Sequence, residues 1–95
     1  MSAYVIVQVN VTKPEQYEEY KAMAAAATQT HGGKFLVRGG AATDLEGKRP
    51  YPRLVIIEFA NSAQAKMWYA SPEYQKAKKA REGAGEGVFT VIEGV

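Results

Sequence analysis

Two charged side chains interrupt segments that otherwise consist of apolar residues. Glu58 lies within RLVIIEF, residues 53–59, where an ionised carboxylate needs a partner or takes up a proton. It is a candidate general acid or base or a ligand anchor, and the competing interpretation is a structural ion pair with Arg38 or Arg81, or hydrogen bonds across a dimer seam. Arg38 precedes Gly39-Gly40. Its guanidinium suits a carboxylate or a phosphate group, unless it pairs with Glu58 and shapes the turn.

Three aromatic residues flank Ser71-Pro72, a pair that predicts a break between two helical segments. Trp68 and Tyr69 precede the break, and Tyr74 follows it. Aromatic groups with polar tips suit the wall of a ligand pocket, although aromatic residues at helical spacing more often belong to the core. We expect Trp68 to be more buried than the two tyrosines.

His31 is the only histidine, and the sequence has no cysteine. The histidine falls in the last turn of a predicted helix, where capping a terminal carbonyl is favoured over a role as general base. One histidine gives no ligand set for a zinc ion or for haem with two histidines, so we expect no metal and no cofactor. The glycines at positions 83, 85 and 87 precede a strand and lack the spacing of a dinucleotide fingerprint, which predicts a loop.

The bulk composition narrows the class of protein. A chain of 95 residues predicts one domain over residues 1–95. The net charge is +2 and the basic residues are scattered, so we expect no nucleic-acid partner. The sequence shows no apolar run of the roughly 18–20 residues that would cross a bilayer and no basic N-terminal leader, which predicts a cytoplasmic protein without a membrane partner.

The elements that must position these residues follow from hydrophobic periodicity. Alternating segments predict strands, and apolar residues at intervals of three or four predict helices. The strands are expected at Tyr4–Val11, Lys34–Gly39, Arg53–Phe59 and Val88–Glu93, with one helix ending near Thr30 and a second, broken at Ser71-Pro72, before the last strand. The order β-α-β-β-α-β predicts an α+β fold of the ferredoxin-like type, with an antiparallel sheet.

Both faces of the predicted sheet are largely apolar. Alternation assigns Val5, Val7, Val9, Val11, Phe35, Val37, Val55, Ile57 and Phe59 to the face under the helices. It assigns Ile6, Leu36, Leu54, Ile56, Tyr4, Gln8, Arg38 and Glu58 to the open face. An open apolar face usually marks an interface, so we expect a homodimer that packs sheet against sheet. A bulge in any strand would exchange the faces beyond it.

Several segments resemble a bacterial family known as domain of unknown function 1330. They are YVIVQVNVT-x-PE-x-Y-x-x-Y (residues 4–20), HGGKFLVRGG (residues 31–40), RLVIIEF (residues 53–59), WY-x-SPEYQ (residues 68–75) and VIEGV (residues 91–95). The resemblance covers essentially the whole chain. It implies a ferredoxin-like protomer of the dimeric α+β barrel superfamily and no established activity, substrate or cofactor. Proteins that share this fold include cofactor-independent monooxygenases, lactone isomerases, haem-dependent enzymes and proteins of unknown chemistry, and fold does not fix function.

Three functions fit the sequence. The first is a small-molecule-binding homodimer whose cleft favours an organic anion and is lined by Arg38, Glu58, Trp68, Tyr74 and Arg81. The second is a cofactor-independent isomerase or monooxygenase in which Glu58 or His31 moves a proton and Arg38 stabilises a developing enolate. The third is a structural or partner-binding dimer without a ligand.

Overall fold

The computed structural model describes residues 2–95. Within them, strands and helices follow one another in the predicted order, with the second helix divided in two. The elements are β1 (Ala3–Val11), α1 (Pro14–Thr30), β2 (Lys34–Arg38), β3 (Arg53–Phe59), α2 (Ser62–Ala70), α3 (Pro72–Ala80) and β4 (Gly85–Glu93). The strands form one antiparallel sheet in the order β2-β3-β1-β4, which is the ferredoxin-like topology. The α+β fold predicted from the sequence is confirmed.

Strict alternation in β1 and β3 builds the core between the sheet and the helices. Every second residue is buried from Ala3 to Val9 in β1 and from Val55 to Phe59 in β3, and the residues between them are only half-buried. The core consists of strand residues, the inner faces of the helices and one residue of the turn before β4: Val5, Val7, Val9, Val55, Ile57, Phe59, Tyr17, Tyr20, Ala24, Ala27, Ala65, Trp68, Tyr74, Ala77 and Ala84. For β1 and β3 the predicted assignment of faces is therefore correct.

A serine and a proline divide the second helical segment into α2 and α3. The Ser71 hydroxyl accepts a hydrogen bond from the backbone N–H of Tyr74 at 3.1 Å and donates to the carbonyl of Trp68 at 2.7 Å. Pro72 follows in the first turn of α3, where its missing N–H costs nothing. The predicted break is confirmed. None of the helices within residues 2–95 is both long enough and apolar enough to cross a membrane.

A β-bulge in β2 overturns one predicted face. Phe35 pairs with Ile57, but the next paired residue is Val37, which lies opposite Ile56, so Leu36 is the extra residue. Arg38 then lies opposite Val55 on the helix side of the sheet. The expectation that Arg38 lies on the open face and Val37 on the helix side was wrong, because one additional residue reverses the parity of every position that follows it.

The last strand begins earlier than expected. Gly85 and Gly87 belong to β4 and pair with Val11 and Val9 of β1, so the prediction that the glycines form only a loop is wrong for these two. A Cβ at Gly85 would come within 2.7 Å of the Asn10 carbonyl oxygen. Close backbone contact between β4 and β1 explains why a strand carries glycine at this position.

The open face of the sheet combines aliphatic and polar side chains. Its central row runs from Val37 through Ile56 and Ile6 to Thr90. The bulge places Val37 on this face where the sequence predicted Arg38, so the face is more apolar than expected. Val37, Val88 and Ile92 are 37%, 45% and 54% exposed, which leaves a broad surface that nothing within residues 2–95 covers.

Candidate functional site

A small cavity lies between α1 and the helix side of the sheet. Its volume is about 30 Å³, enough for roughly one water molecule. Residues from the sheet, α1 and α2 line it: Val7, Tyr17, Tyr20, Lys21, Ala24, Thr28, Phe35, Arg38, Arg53, Val55, Ile57, Trp68 and Phe89. The walls are mainly aliphatic and aromatic. The three basic lining residues, Lys21, Arg38 and Arg53, also line a groove at the protein surface. The cavity is thus the inner end of a larger depression.

The surface groove that continues from this cavity has a volume of about 450 Å³. Lys21, Arg38 and Arg53 line both the groove and the cavity, and Glu18 and Ala22 complete the groove. The Lys21 ammonium lies 2.9 Å from the Glu18 carboxylate, and this hydrogen bond holds the pKa of Glu18 below its usual value. Both arginines remain outside that pair, so the groove has an excess of positive charge. We call it the arginine groove.

Arg53 is held by the turn that follows β2. Gly39 has a φ of +72°, and a Cβ there would collide with the Arg53 guanidinium. Burial raises the pKa of Tyr17, and the charge of the nearby Arg53 guanidinium offsets this only in part. The Nε atom of Arg53 is buried and has no hydrogen-bond partner within residues 2–95. A glycine at this turn therefore gives room to a guanidinium whose Nε donor is unused.

Arg38 closes the outer side of the arginine groove. One Nη donates a hydrogen bond to the carbonyl oxygen of Lys21 at 3.2 Å, and the guanidinium carbon lies 4.5 Å from the centre of the Phe35 ring. The side chain is exposed. These two contacts hold Arg38 across the gap between β2 and α1 and leave its other donors free for an anion.

Trp68 and Tyr74, the two aromatic candidates, are core residues with 1% and 0% exposure. Tyr74 is therefore at least as buried as Trp68, contrary to the expected ranking. Trp68 lines the inner cavity, and its indole Nε1 has no hydrogen-bond partner in the described part of the chain. The Tyr74 hydroxyl is hydrogen-bonded to the Tyr20 hydroxyl at 2.9 Å. Burial and this neighbour raise the pKa of Tyr20, and burial also raises the pKa of Tyr74.

Arg81 lies behind the aromatic cluster rather than in the arginine groove. Its guanidinium carbon is 5.5 Å from the centre of the Tyr20 ring and 4.8 Å from that of Phe89. Burial lowers its pKa, but the phenols of Tyr74, Tyr20 and Tyr69 together outweigh burial, so the pKa of Arg81 is raised. The cation is held by aromatic faces.

Glu58 and His31 lie apart from this cluster. Glu58 is on the open face, where its cross-strand neighbours are Tyr4 and Lys34, so it pairs with neither Arg38 nor Arg81. His31 caps the end of α1, and its Nε2 lies 2.8 Å from the Glu73 carboxylate in the first turn of α3. That contact lowers the pKa of Glu73. Neither Glu58 nor His31 lines the cavity or the arginine groove.

Of the residues singled out from the sequence, the structure brings together Arg38 and Trp68, with Tyr74 and Arg81 in the layer behind them. Sequence reasoning missed Arg53, which shares the parity of Val55 and Ile57 and could have been assigned to the helix side. Within residues 2–95 there is no group of three or more His, Asp or Glu side chains close enough to hold a metal ion. The arrangement is suited to binding an anion.

Comparisons with known proteins agree with this fold. The family described as Domain of unknown function (DUF1330) matches residues 2–95. None of the curated proteins is similar enough in sequence to count as a match. A protein of unknown function from Rhodopseudomonas palustris is 18% identical with a TM-score of 0.78, covering 99% of this chain and 82% of its own.

Two further solved structures share the fold. A dimeric ferredoxin-like protein of unknown function from Jannaschia sp. CCS1 is 16% identical with a TM-score of 0.75, covering 99% of this chain and 100% of its own. SnoaB, a cofactor-independent oxygenase from Streptomyces nogalater, is 13% identical with a TM-score of 0.67, covering 99% and 93%. At these identities the likeness establishes the fold alone.

Proposed function

Because the chain belongs to the family described as Domain of unknown function (DUF1330), whose description assigns no activity, we propose a function from its geometry. The protein is a homodimer that binds a small organic anion, with the ligand's carboxylate held in the arginine groove. The observation that carries this proposal is the convergence of Lys21, Arg38 and Arg53 on one depression whose only acidic residue, Glu18, is already paired with Lys21.

The donor set favours a carboxylate. A guanidinium presents donors in a planar fork that matches the two oxygens of a carboxylate or phosphate. Arg53 is half-buried and keeps its Nε unpaired, and Arg38 uses only one Nη in the structure. An anion that bridges the two would restore the hydrogen bonds that burial removes from Arg53.

The volume of the groove restricts the ligand to small molecules. Its volume of about 450 Å³ lies in the lower part of the range for small-molecule sites. The cavity behind it is apolar except for the basic residues at its mouth, and at about 30 Å³ it admits little beyond a water unless side chains move. We therefore expect a compact organic acid whose apolar part faces the inner cavity.

The open sheet face supports the homodimer. Its aliphatic residues, including Val37, Ile56 and Ile92, would bury their surface against a second copy, and each such side chain contributes roughly 1.5–3 kcal/mol when fully buried. The dimeric ferredoxin-like protein from Jannaschia has the same fold, which favours the same mode of assembly. Two-fold symmetry brings identical faces together and leaves the helix side, with the arginine groove, free.

The acid–base alternative has less support than anion binding. It requires Glu58 or His31 to reach a substrate. Glu58 lies on the opposite side of the sheet from the arginine groove, and His31 is engaged by Glu73. The fold shared with the oxygenase SnoaB does not supply a base.

The binding proposal is tested by isothermal titration with benzoate, and benzamide serves as a neutral molecule of similar shape. We expect benzoate to bind and benzamide not to bind. Arg53→Gln should weaken benzoate at least about tenfold, equivalent to about 1.4 kcal/mol. Arg49→Gln is the matched control, because Arg49 pairs with Asp44 in the β2–β3 loop, and it should leave the affinity unchanged. Equal binding of benzamide would overturn the selection for an anion, and no binding of benzoate would overturn the proposal and leave the ligand-free dimer.

A further inference from the structure

A second groove lies on the other side of Trp68, between α2 and the edge strand β4. Its volume is about 300 Å³. Seven residues line it: Val5, Lys66, Trp68, Tyr69, Phe89, Thr90 and Val91. Because β4 is at the edge of the sheet, the helix side of Phe89 and Val91 is only partly covered, and both are half-buried. We call this the α2/β4 groove.

The α2/β4 groove has more apolar and fewer charged lining residues than the arginine groove. Its walls are aliphatic and aromatic, and the only ionisable group among its seven lining residues apart from the Tyr69 phenol is the Lys66 ammonium. A second ammonium, that of Lys78, lies 5.3 Å from the centre of the Tyr69 ring. No acidic side chain lines the groove. An apolar molecule with one negative charge complements this surface.

Trp68, which lines this groove, carries an unused hydrogen-bond donor. The residue is 1% exposed, and its indole N–H finds no acceptor within residues 2–95. A buried donor without a partner is costly, and native structures rarely retain one. Trp68 and Phe89 line both the inner cavity and the α2/β4 groove, so they form the partition between the two spaces. A ligand oxygen at this partition would satisfy the indole.

We infer that the α2/β4 groove binds an aliphatic monocarboxylate, with its chain against Val91 and Phe89 and its carboxylate near Lys66 and the indole N–H of Trp68. This site is separate from the arginine groove and does not depend on it. The arginine groove selects for charge through two guanidinium groups, whereas the α2/β4 groove selects for apolar surface and a single charge.

The test uses the one tryptophan of the sequence as a reporter. Octanoate is titrated into nitrogen-15-labelled protein, and the single indole N–H resonance is followed by NMR below the concentration at which octanoate forms micelles. We expect a saturable downfield shift, as a carboxylate accepts the indole proton, and a smaller response to 1-octanol. An indole resonance that does not move when octanoate saturates would mean that the N–H is satisfied from the inner cavity, and would overturn the inference.

Two variants locate the binding. Lys66→Gln, at the surface of α2, should weaken octanoate at least fivefold without altering 1-octanol, and Lys76→Gln on α3 is its matched control. Val91→Phe fills the groove and should abolish octanoate binding while benzoate still binds in the arginine groove. If Arg53→Gln, and not Lys66→Gln, removes octanoate, the ligand occupies the arginine groove and the inference is wrong. The benzoate titration fails or succeeds independently of these results.

Discussion

On the helix side of the sheet, Val5 and Val7 are 1% and 4% exposed, whereas Val37 and Ile92 on the open face are 37% and 54% exposed. The side chains on the two faces are all aliphatic, and the faces differ in whether other elements pack against them. Helices of the same chain close one face, and the other carries its aliphatic residues without a partner within residues 2–95. Apolar composition therefore predicts that a surface will be buried, but whether its cover comes from the same chain or from another depends on topology.

The two faces also differ in where they place charge. The helix side gains Arg38 and Arg53 at one end of the sheet, where they meet α1 and form the arginine groove. The open face keeps Glu58 and Lys34 in cross-strand register, beside the aliphatic row. We expect variants on the helix side to affect folding or ligand binding, and variants on the open face to affect assembly.

The largest effect is expected from the covered face. Phe59 is 1% exposed and its ring centre lies 5.3 Å from that of Trp68. Phe59→Ala should lower the free energy of unfolding by about 3–5 kcal/mol, because it removes a buried ring and leaves a cavity. Urea denaturation followed by circular dichroism measures the loss. Ile92→Ala on the open face is the comparison, and its effect should be much smaller when both variants are measured at a protein concentration low enough to keep them monomeric. Equal losses would contradict the distinction between the faces.

The next effect concerns assembly. Ile56 lies in the central row of the open face, between Ile6 and Val37. Ile56→Asp would put an unpaired charge into each half of a two-fold seam, so dimerisation should weaken by about 100-fold, or about 2.7 kcal/mol. Sedimentation equilibrium measures this, and Leu45→Asp on the exposed β2–β3 loop is the control. Wild-type protein that sediments as a monomer at micromolar concentration would remove the basis of the prediction.

The sequence alone predicts which face of the sheet most strand residues occupy. Alternation in β1 and β3 assigns both faces correctly, because neither strand contains an extra residue. In β2 the segment KFLVR offers Leu36 and Val37 side by side, and either can be the bulged residue without any change in composition. The position of Arg38 therefore depends on how β2 pairs with β3, which local pattern does not reveal. Pairing of strands distant in sequence likewise decides that Glu58 meets Lys34 rather than an arginine.

Aromatic burial is a second limit. The sequence predicts the positions of Trp68 and Tyr74 on either side of the helix break. Whether they form a pocket wall or the core depends on α1, because the Tyr20 hydroxyl is hydrogen-bonded to the Tyr74 hydroxyl. Arg53 is the opposite case, since its parity with Val55 and Ile57 was visible in RLVIIEF. Its role became apparent only once Gly39 and α1 were placed around it.

A smaller effect follows from the buried phenols of the helix side. The pKa of Tyr20 and that of Tyr74 are raised in the folded protein above the usual 10.0, mainly by burial. Their contribution to stability is thus complete below pH 10 and declines as pH rises further, because the unfolded chain ionises first. Tyr20→Phe should reduce the loss of unfolding free energy between pH 10 and 11 by about 1 kcal/mol.

Urea unfolding at several pH values gives this slope directly. The loss of the Tyr20–Tyr74 hydrogen bond lowers stability at every pH, so the slope and not the absolute value is the measurement. Tyr4→Phe on the open face is the matched control and should leave the slope near that of wild type. A slope that is the same in all three proteins would show that the phenols do not resist ionisation.

The smallest effect is expected from deleting Leu36. The deletion tests whether the bulge in β2 is needed to keep Arg38 on the helix side of the sheet. In the present pairing, Phe35 lies opposite Ile57, Val37 opposite Ile56 and Arg38 opposite Val55, so removing Leu36 leaves a regular ladder with the same partners. Arg38 should stay on the helix side, and benzoate affinity should change by less than about twofold, or ~0.4 kcal/mol. If Leu36 were instead needed to direct Arg38 toward α1, the deletion would move the guanidinium away from the arginine groove. Benzoate affinity would then fall to about the level of Arg53→Gln, and dimerisation would weaken because a charge had entered the open face.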